Sequence, residues 1–232
     1  EIKKNDIFFA IKGKKKDGNN YLREVFNKKA SLAIVNKINK LEKKTKQIKV
    51  KNTLSFLTKT SSKVRENSSA KIIAITGSCG KTSLKDLIGM TFNKISRATY
   101  SNKSFNNKYG VPLSLFNLNL RDNFGVFEVG MDKKGEIDKL TKLISPNLAV
   151  ITNVSYAHIK NFSSLNQIAS AKSEIINNVL QGGTIVLNRD DIYFDYFKKK
   201  ALRKKLKIIS FGKNNNADVN LVKMTKKKNK YL

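Results

Sequence analysis

The sequence predicts an α/β protein with a mainly parallel sheet covered by helices, and three observations carry that expectation. From Lys71 onward, short apolar runs alternate with stretches of helical periodicity, the pattern of strands buried on both faces. A glycine-rich turn separates the first of these runs from the first helix. Ahead of them, residues 1–69 hold two short apolar runs around a helical stretch, which reads as a smaller domain.

In residues 1–69, segments 7–11 and 33–35 read as strands, with a helix over 21–29 between them. Gly13 and Gly18 punctuate a basic loop, KGKKKDG, after the first strand. Segment 52–65 sets Leu54, Leu57, Ser61 and Val64 at helical spacing, and the polar stretch through Ser68 and Ser69 reads as a linker. Residues 70–232 form the second domain. Strand 72–75 leads into a helix over about 82–93, and strand 125–129 into a helix through Ile137, Leu140 and Ile144. Strand 148–151 is followed by one helix over about 165–179, and strands 184–187 and 207–210 complete the set. No internal repeat is evident. In parallel sheets, ligands gather beyond the carboxyl ends of the strands.

A chain of 232 residues can hold one large domain or two smaller ones, and a hydrophobic content of 40% suits globular cores. No apolar run approaches the roughly 20 residues of a membrane helix, and no charged-then-apolar leader opens the chain. The chain begins at Glu1, so a natural start upstream is expected. One cysteine, Cys79, excludes an internal disulfide and fits a reducing, cytoplasmic compartment. The net charge of +30 raises nucleic-acid binding as a function class. Yet the lysines run through the whole chain among many Asn and Ile residues, a compositional bias rather than a patch. Zinc spacing and basic aromatic repeats are absent, so no specific nucleic-acid partner is expected. The positive field would instead concentrate small anions.

The segment TGSCGKTS comprises Thr76, Gly77, Ser78, Cys79, Gly80, Lys81, Thr82 and Ser83, and lies between a strand and a helix. Its glycines allow a tight turn whose N–H groups face an anion at the helix N-terminus. Lys81 supplies a point charge for phosphate oxygens, and the Thr82 hydroxyl can ligate Mg²⁺. The loop is shorter than the usual G-x-x-x-x-G-K-[ST], and its strand–loop–helix context is what supports the assignment. Cys79 could also be read as a nucleophile paired with His158, the one histidine; a small spacer between glycines is the simpler reading, since no third orienting group is visible.

Three further residues bear on a metal. Glu128 stands inside the apolar run Val126–Gly130, where a carboxylate is costly unless paired or metal-bound; the competing reading is an edge-strand glutamate facing water. His158 follows strand 148–151 after a short polar turn, and is either a ligand or a satisfied structural histidine. Ser164 and Gln167 form a capping box for a helix whose apolar stripe runs Leu165, Ile168, position 172, Ile175 or Ile176, and Val179. Position 172 holds a lysine. An inward amine loses proton affinity and becomes reactive or paired, unless its stem snorkels to the helix edge.

These residues, with the strings AITGSCGKTSLKD, SFNNKYGVPLSL, FEVGMDKKGEIDKL, PNLAVITNVSYAHIKNF, IASAKSEI and VLNRDD, make the chain resemble the Mur ligases over nearly its whole length. The strings E-x-G-M-x-x-x-G-E-I and N-N-x-x-G-V-P favour the member that adds D-alanyl-D-alanine to UDP-N-acetylmuramoyl-tripeptide. Folylpolyglutamate synthases share the loop but would not be expected to carry the KGKKKDG-type domain in front. The resemblance implies a partial N-terminal domain over 1–69 that grips the UDP-muramyl substrate, and an ATP-binding central domain over 70–232. It gives Lys81 to the ATP phosphates, Thr82, Glu128 and His158 to magnesium, and Asn106 and Asn107 to the nucleotide and acceptor side. Lys172 matches a lysine carried as a carbamate, which helps hold the second of two magnesium ions. Asn19 stands where many relatives have histidine, which weakens any uridine contact there, and FSS replaces F-G-S after His158. The family's H-N-x-x-N adenine segment and third domain would follow residue 232.

The implied reaction is peptidoglycan-precursor synthesis by an ATP-dependent ligase working through an acyl phosphate, by a cytoplasmic monomer. The 232 residues alone are expected to be inactive. Two alternatives are a sibling ligase with another acceptor and a non-catalytic basic P-loop module that binds nucleotide or nucleic acid.

Overall fold

The structure, a computed structural model, describes residues 2–13, 15–156, 161–223, 226–227 and 230–231. The chain forms two compact units, residues 1–63 and 64–232.

The first unit is built on a three-stranded parallel sheet of β1 (Ile7–Phe9), β2 (Leu32–Val35) and β3 (Gln47–Lys49), in that order. Helix α1 (Leu22–Asn27) makes the first crossover, and its Leu22 and Phe26 pack on Ala10, Ala33 and Val35. The basic loop ends in a 3-10 turn over Gly18–Tyr21, opened by Asp17, whose carboxylate accepts from the Asn19 amide at 2.9 Å. Strand β3 escapes a sequence reading because it is short and polar. Its buried Gln47 is satisfied by the 39–42 turn: Nε2 donates to the Asn39 and Glu42 carbonyls, and Oε1 accepts from Asn39 N.

Helix α2 (Thr53–Asn67) crosses from the first unit into the second. Within the second unit, Arg65 near its end donates to the Ile144 and Ser145 carbonyls at 2.8 and 2.9 Å. The polar stretch expected as a linker runs straight into the next strand, with Ser68 buried and its hydroxyl accepting from Ala70 N.

The second unit is a parallel sheet whose strands, among the described residues, are β4 (Lys71–Thr76), β5 (Ala98–Tyr100), β6 (Phe124–Glu128), β7 (Leu148–Ile151), β8 (Thr184–Asn188), β9 (Lys207–Gly212) and β10 (Val219–Asn220). Their order is β10-β9-β8-β7-β4-β6-β5. Helix α3 (Lys81–Ile95) covers one face, with Leu84, Ile88 and Phe92 on Ile73, Ile75, Val126 and Val150. The opposite face carries α4 (Gly110–Phe116), α5 (Glu136–Ile144), α6 (Leu165–Lys172), α7 (Glu174–Asn177) and α8 (Phe194–Arg203). They share the main core with Ile72, Ala74, Phe127, Ile151 and Leu187. Residues 226–227 and 230–231 pair as a separate antiparallel ladder.

One expected element is divided. The helix over 165–179 breaks at Ser173, whose hydroxyl donates to the Ser170 carbonyl at 2.6 Å and accepts from Lys200 Nζ at 2.7 Å. Beyond the break Glu174 caps α5: its carboxylate accepts from Gly135 N at 2.7 Å and Asp138 N at 3.1 Å. A serine bonded back to its own helix and a glutamate recruited by another end the run locally.

Candidate functional site

Strand β4 is the topological switch point. The chain leaves it for β5 and β6 on one side and for β7 on the other, and a crevice opens where connections diverge beyond the carboxyl edge. The segments after β4, β6 and β7 meet there.

The turn after β4 is held chiefly by the segment after β7. Ser78 N donates to the Asn153 carbonyl, Cys79 N to Asn153 Oδ1, and the Thr152 hydroxyl to the Cys79 carbonyl at 2.6 Å. Ser78 and Ser155 exchange two further bonds. Gly77, at φ 149°, permits this closeness, because a Cβ there would sit 1.8 Å from Thr152 Oγ1. Gly80 takes a left-handed conformation, and no side chain caps α3 behind it. The first-turn amides, with Ser83 exposed among them, are therefore left for an anion. Lys81 folds back over the turn and donates to the Gly77 and Ser78 carbonyls at 2.9 and 3.2 Å. The Thr76 hydroxyl is buried without a partner among the described residues. Cys79 is exposed, and its sulfur lies 4.0 Å from the Ser155 hydroxyl; the base suggested for it, His158, lies outside the described residues.

Glu128 ends β6, an interior strand between β4 and β5, and is 1% exposed. The edge-strand reading therefore fails. Its carboxylate accepts from the Thr82 hydroxyl at 2.7 Å and from Asn106 Nδ2 at 2.7 Å. A buried carboxylate held by a hydroxyl and an amide retains uncompensated charge. With the hydroxyl of Thr82 it forms a pair of hard oxygen donors beside a phosphate-binding helix end, which suits Mg²⁺. No three His, Cys, Asp or Glu side chains gather among the described residues. Asn106 thus faces the candidate cation position. Asn107 is engaged elsewhere, its Oδ1 accepting from Tyr109 N and Gly110 N at the start of α4. His158 lies outside the described residues.

Lys172 is the last residue of α6 and is 2% exposed, so its head does not snorkel. Burial, with the neighbouring Lys81 charge, lowers its pKa to about 7, while Cys79 acts weakly the other way. At the other end of α6, Ser164 accepts from Gln167 N as expected, but the Gln167 side chain reaches Ser163 N instead of the cap residue's own amide. Sequence reasoning missed Ser101 and Ser104, which follow the three-residue β5. Ser101 Oγ accepts from Glu128 N at 3.3 Å, and Ser104 Oγ lies 3.2 Å from Thr82 Oγ1.

Known proteins share the sequence and the fold over almost the whole chain. A UDP-N-acetylmuramoyl-tripeptide--D-alanyl-D-alanine ligase of Rickettsia prowazekii (strain Madrid E) is 36% identical over 225 residues, which cover 96% of this chain and 49% of that protein. The crystal structure of MurF from Acinetobacter baumannii superposes with a TM-score of 0.82 at 29% identity, over 97% of this chain and 49% of that one. The MurF ligase of Thermotoga maritima, solved in complex with ADP, gives a TM-score of 0.79 at 26% identity, over 100% of this chain and 52% of that one. The chain spans about half the length of the curated relatives it matches. No helix among the described residues is long and apolar enough to cross a membrane. Residues 75–231, most of the chain, match the Mur ligase middle domain, and the protein belongs to the Mur ligase family.

Proposed function

We propose that this chain carries the ATP-activating part of an amide-bond ligase of peptidoglycan synthesis, which joins D-alanyl-D-alanine to UDP-N-acetylmuramoyl-tripeptide. Relatives and solved structures bearing that name support the reading. The observation that carries it is the 2.7 Å contact between Thr82, behind the phosphate turn, and the buried Glu128. A phosphate-binding helix end alone suits any nucleotide-binding protein. A buried carboxylate held against it by neutral donors suits one that keeps a divalent cation on the nucleotide.

In this reading the free amides of the first turn of α3 hold the ATP phosphates, with Lys81 leaving its carbonyl partners for phosphate oxygens. Thr82 and Glu128 hold Mg²⁺, and Asn106 fixes the carboxylate. Lys172, as a carbamate, and His158 complete the donors for two ions. Bound magnesium neutralises charge between the anionic carboxylate and ATP. The tripeptide's terminal carboxylate attacks the γ-phosphorus, the bond to ADP breaks, and an acyl phosphate forms. The amine of D-alanyl-D-alanine then attacks the acyl carbon, phosphate departs with the C–O electron pair, and the nitrogen loses a proton. Residues 1–69 serve the UDP-muramyl part and residues 70–232 the ATP, in the cytoplasm.

The test uses protein produced from its complete reading frame, with ATP, Mg²⁺ and both substrates. ADP, phosphate and a UDP-linked pentapeptide are expected, and Lys81→Ala should form no acyl phosphate. Retained turnover in that variant, or no amide product from the unsubstituted protein, counts decisively against the assignment.

A further inference from the structure

We infer that Lys85 is a positioning residue for the Thr82–Glu128 pair, acting through the segment from Ser101 to Asn106; this rests on the reading of that pair as the cation-holding site. Lys85 lies one helical turn after Lys81 and Thr82 on α3, and its side chain is 0% exposed. An ammonium so buried costs several kcal/mol unless its donors are all used. All three are used: Nζ donates to Asp86 Oδ1 at 2.5 Å, the Ser101 carbonyl at 2.7 Å and the Lys103 carbonyl at 3.0 Å. The Tyr100 ring, 5.7 Å from Nζ, lies over it. That ring rests directly on the helix, because a Cβ at Gly89 would meet it at 2.4 Å.

The segment Lys85 grips has no regular structure of its own. Its internal backbone bonds are Phe105 N to the Asn102 carbonyl and Asn106 N to the Ser104 carbonyl. Lys103 sits at φ 48°, a left-handed conformation that a lysine keeps only when its surroundings enforce it. Yet this segment supplies three contacts to the pair: Ser101 Oγ to Glu128 N, Ser104 Oγ to Thr82 Oγ1, and Asn106 Nδ2 to Glu128 Oε1. Lys85 therefore ties the helix that carries Thr82 to the segment that orients Glu128. No described contact takes its ammonium to the phosphate turn, so it acts through those residues and not on the nucleotide.

The experiment measures Mn²⁺ binding to the ATP-loaded, complete protein by the electron paramagnetic resonance signal of free Mn²⁺, alongside ATP affinity in EDTA. Hydrogen exchange of residues 101–107 is followed in parallel. Lys85→Met should weaken Mn²⁺ binding about tenfold, the usual loss when an outer-shell partner is removed, speed exchange in 101–107, and leave metal-free ATP affinity unchanged. Lys85→Gln, which keeps one donor, should fall between, and it decides the matter if the methionine variant does not fold. Asp86→Asn should resemble the unsubstituted protein, since that carboxylate is 44% exposed. Undiminished Mn²⁺ affinity, or equal losses of Mn²⁺ and metal-free ATP binding, would overturn the positioning role. So would unfolding of both Lys85 variants, because the lysine would then hold the fold and not the segment. An unsubstituted protein that binds ATP but no Mn²⁺ would sink the reading of the pair itself.

Discussion

Replacing Lys172 by methionine should flatten the dependence of stability on pH, by an amount set by the burial of the amine. The lysine is 2% exposed, and its pKa falls from 10.5 to about 7 on folding. Between those values the unfolded chain binds a proton that the folded chain does not, so stability rises with pH across that window. The penalty is in full force below about pH 7 and fades towards pH 10.5. From pH 7 to pH 9 the relief amounts to about 2 kcal/mol, on the order of one and a half pKa units of linkage. Methionine preserves the volume and has no proton to lose, so its advantage over lysine should shrink by that amount across the same range. Urea denaturation at a series of pH values reads the difference. The buffer must be free of Mg²⁺ and CO₂, because carbamate formation would trap the neutral amine. Parallel profiles for the two proteins would refute the reasoning, since they require Lys172 to titrate alike folded and unfolded.

Glu128→Gln keeps an acceptor for Thr82 but removes the charge, so the Mg²⁺ concentration for half-maximal turnover should rise about 10- to 100-fold; a steady-state Mg²⁺ titration checks it. Gly77→Ala would drive a Cβ to 1.8 Å from Thr152 Oγ1, and should cost about 2–4 kcal/mol through strain and a lost hydrogen bond, read by urea denaturation, with loss of ATP binding by calorimetry. DNA binding should be weak, indifferent to sequence and abolished by moderate salt, because the +30 charge is distributed along the chain. Tight, sequence-selective binding in a filter assay at physiological salt would contradict this.

The parts of the site that the sequence made legible are those where a residue breaks its local pattern. Glu128 is an acid in an apolar strand and Lys172 a base in an apolar helical stripe, and both prove buried. The phosphate turn was legible because glycine and lysine stand between a strand and a helix. What stayed hidden depends on partners remote in sequence. Lys85 reads as an ordinary solvated helix lysine, and only the carbonyls of Ser101 and Lys103 give a reason to bury it. Strand β5 and helix α4 are too short for periodicity to register. Helix α8 could have been found, since Phe194, Phe197 and Ala201 recur at helical spacing and all face the core. The break at Ser173 could not, because it depends on Lys200 from another helix.

The stitching of the phosphate turn to Thr152, Asn153 and Ser155 has a consequence for how a nucleotide arrives. A glycine-rich loop left free would have to surrender its conformational entropy at the moment of association, and that cost would be subtracted from affinity. Here folding has already met it, through bonds that close across β4 and β7. Nucleotide capture should therefore behave as docking into a standing receptor, its association rate governed by diffusion and by the positive field. The vulnerability moves with the support: substitutions at Thr152 or Ser155, far along the chain from the phosphate turn, should loosen it and appear first as slower nucleotide association.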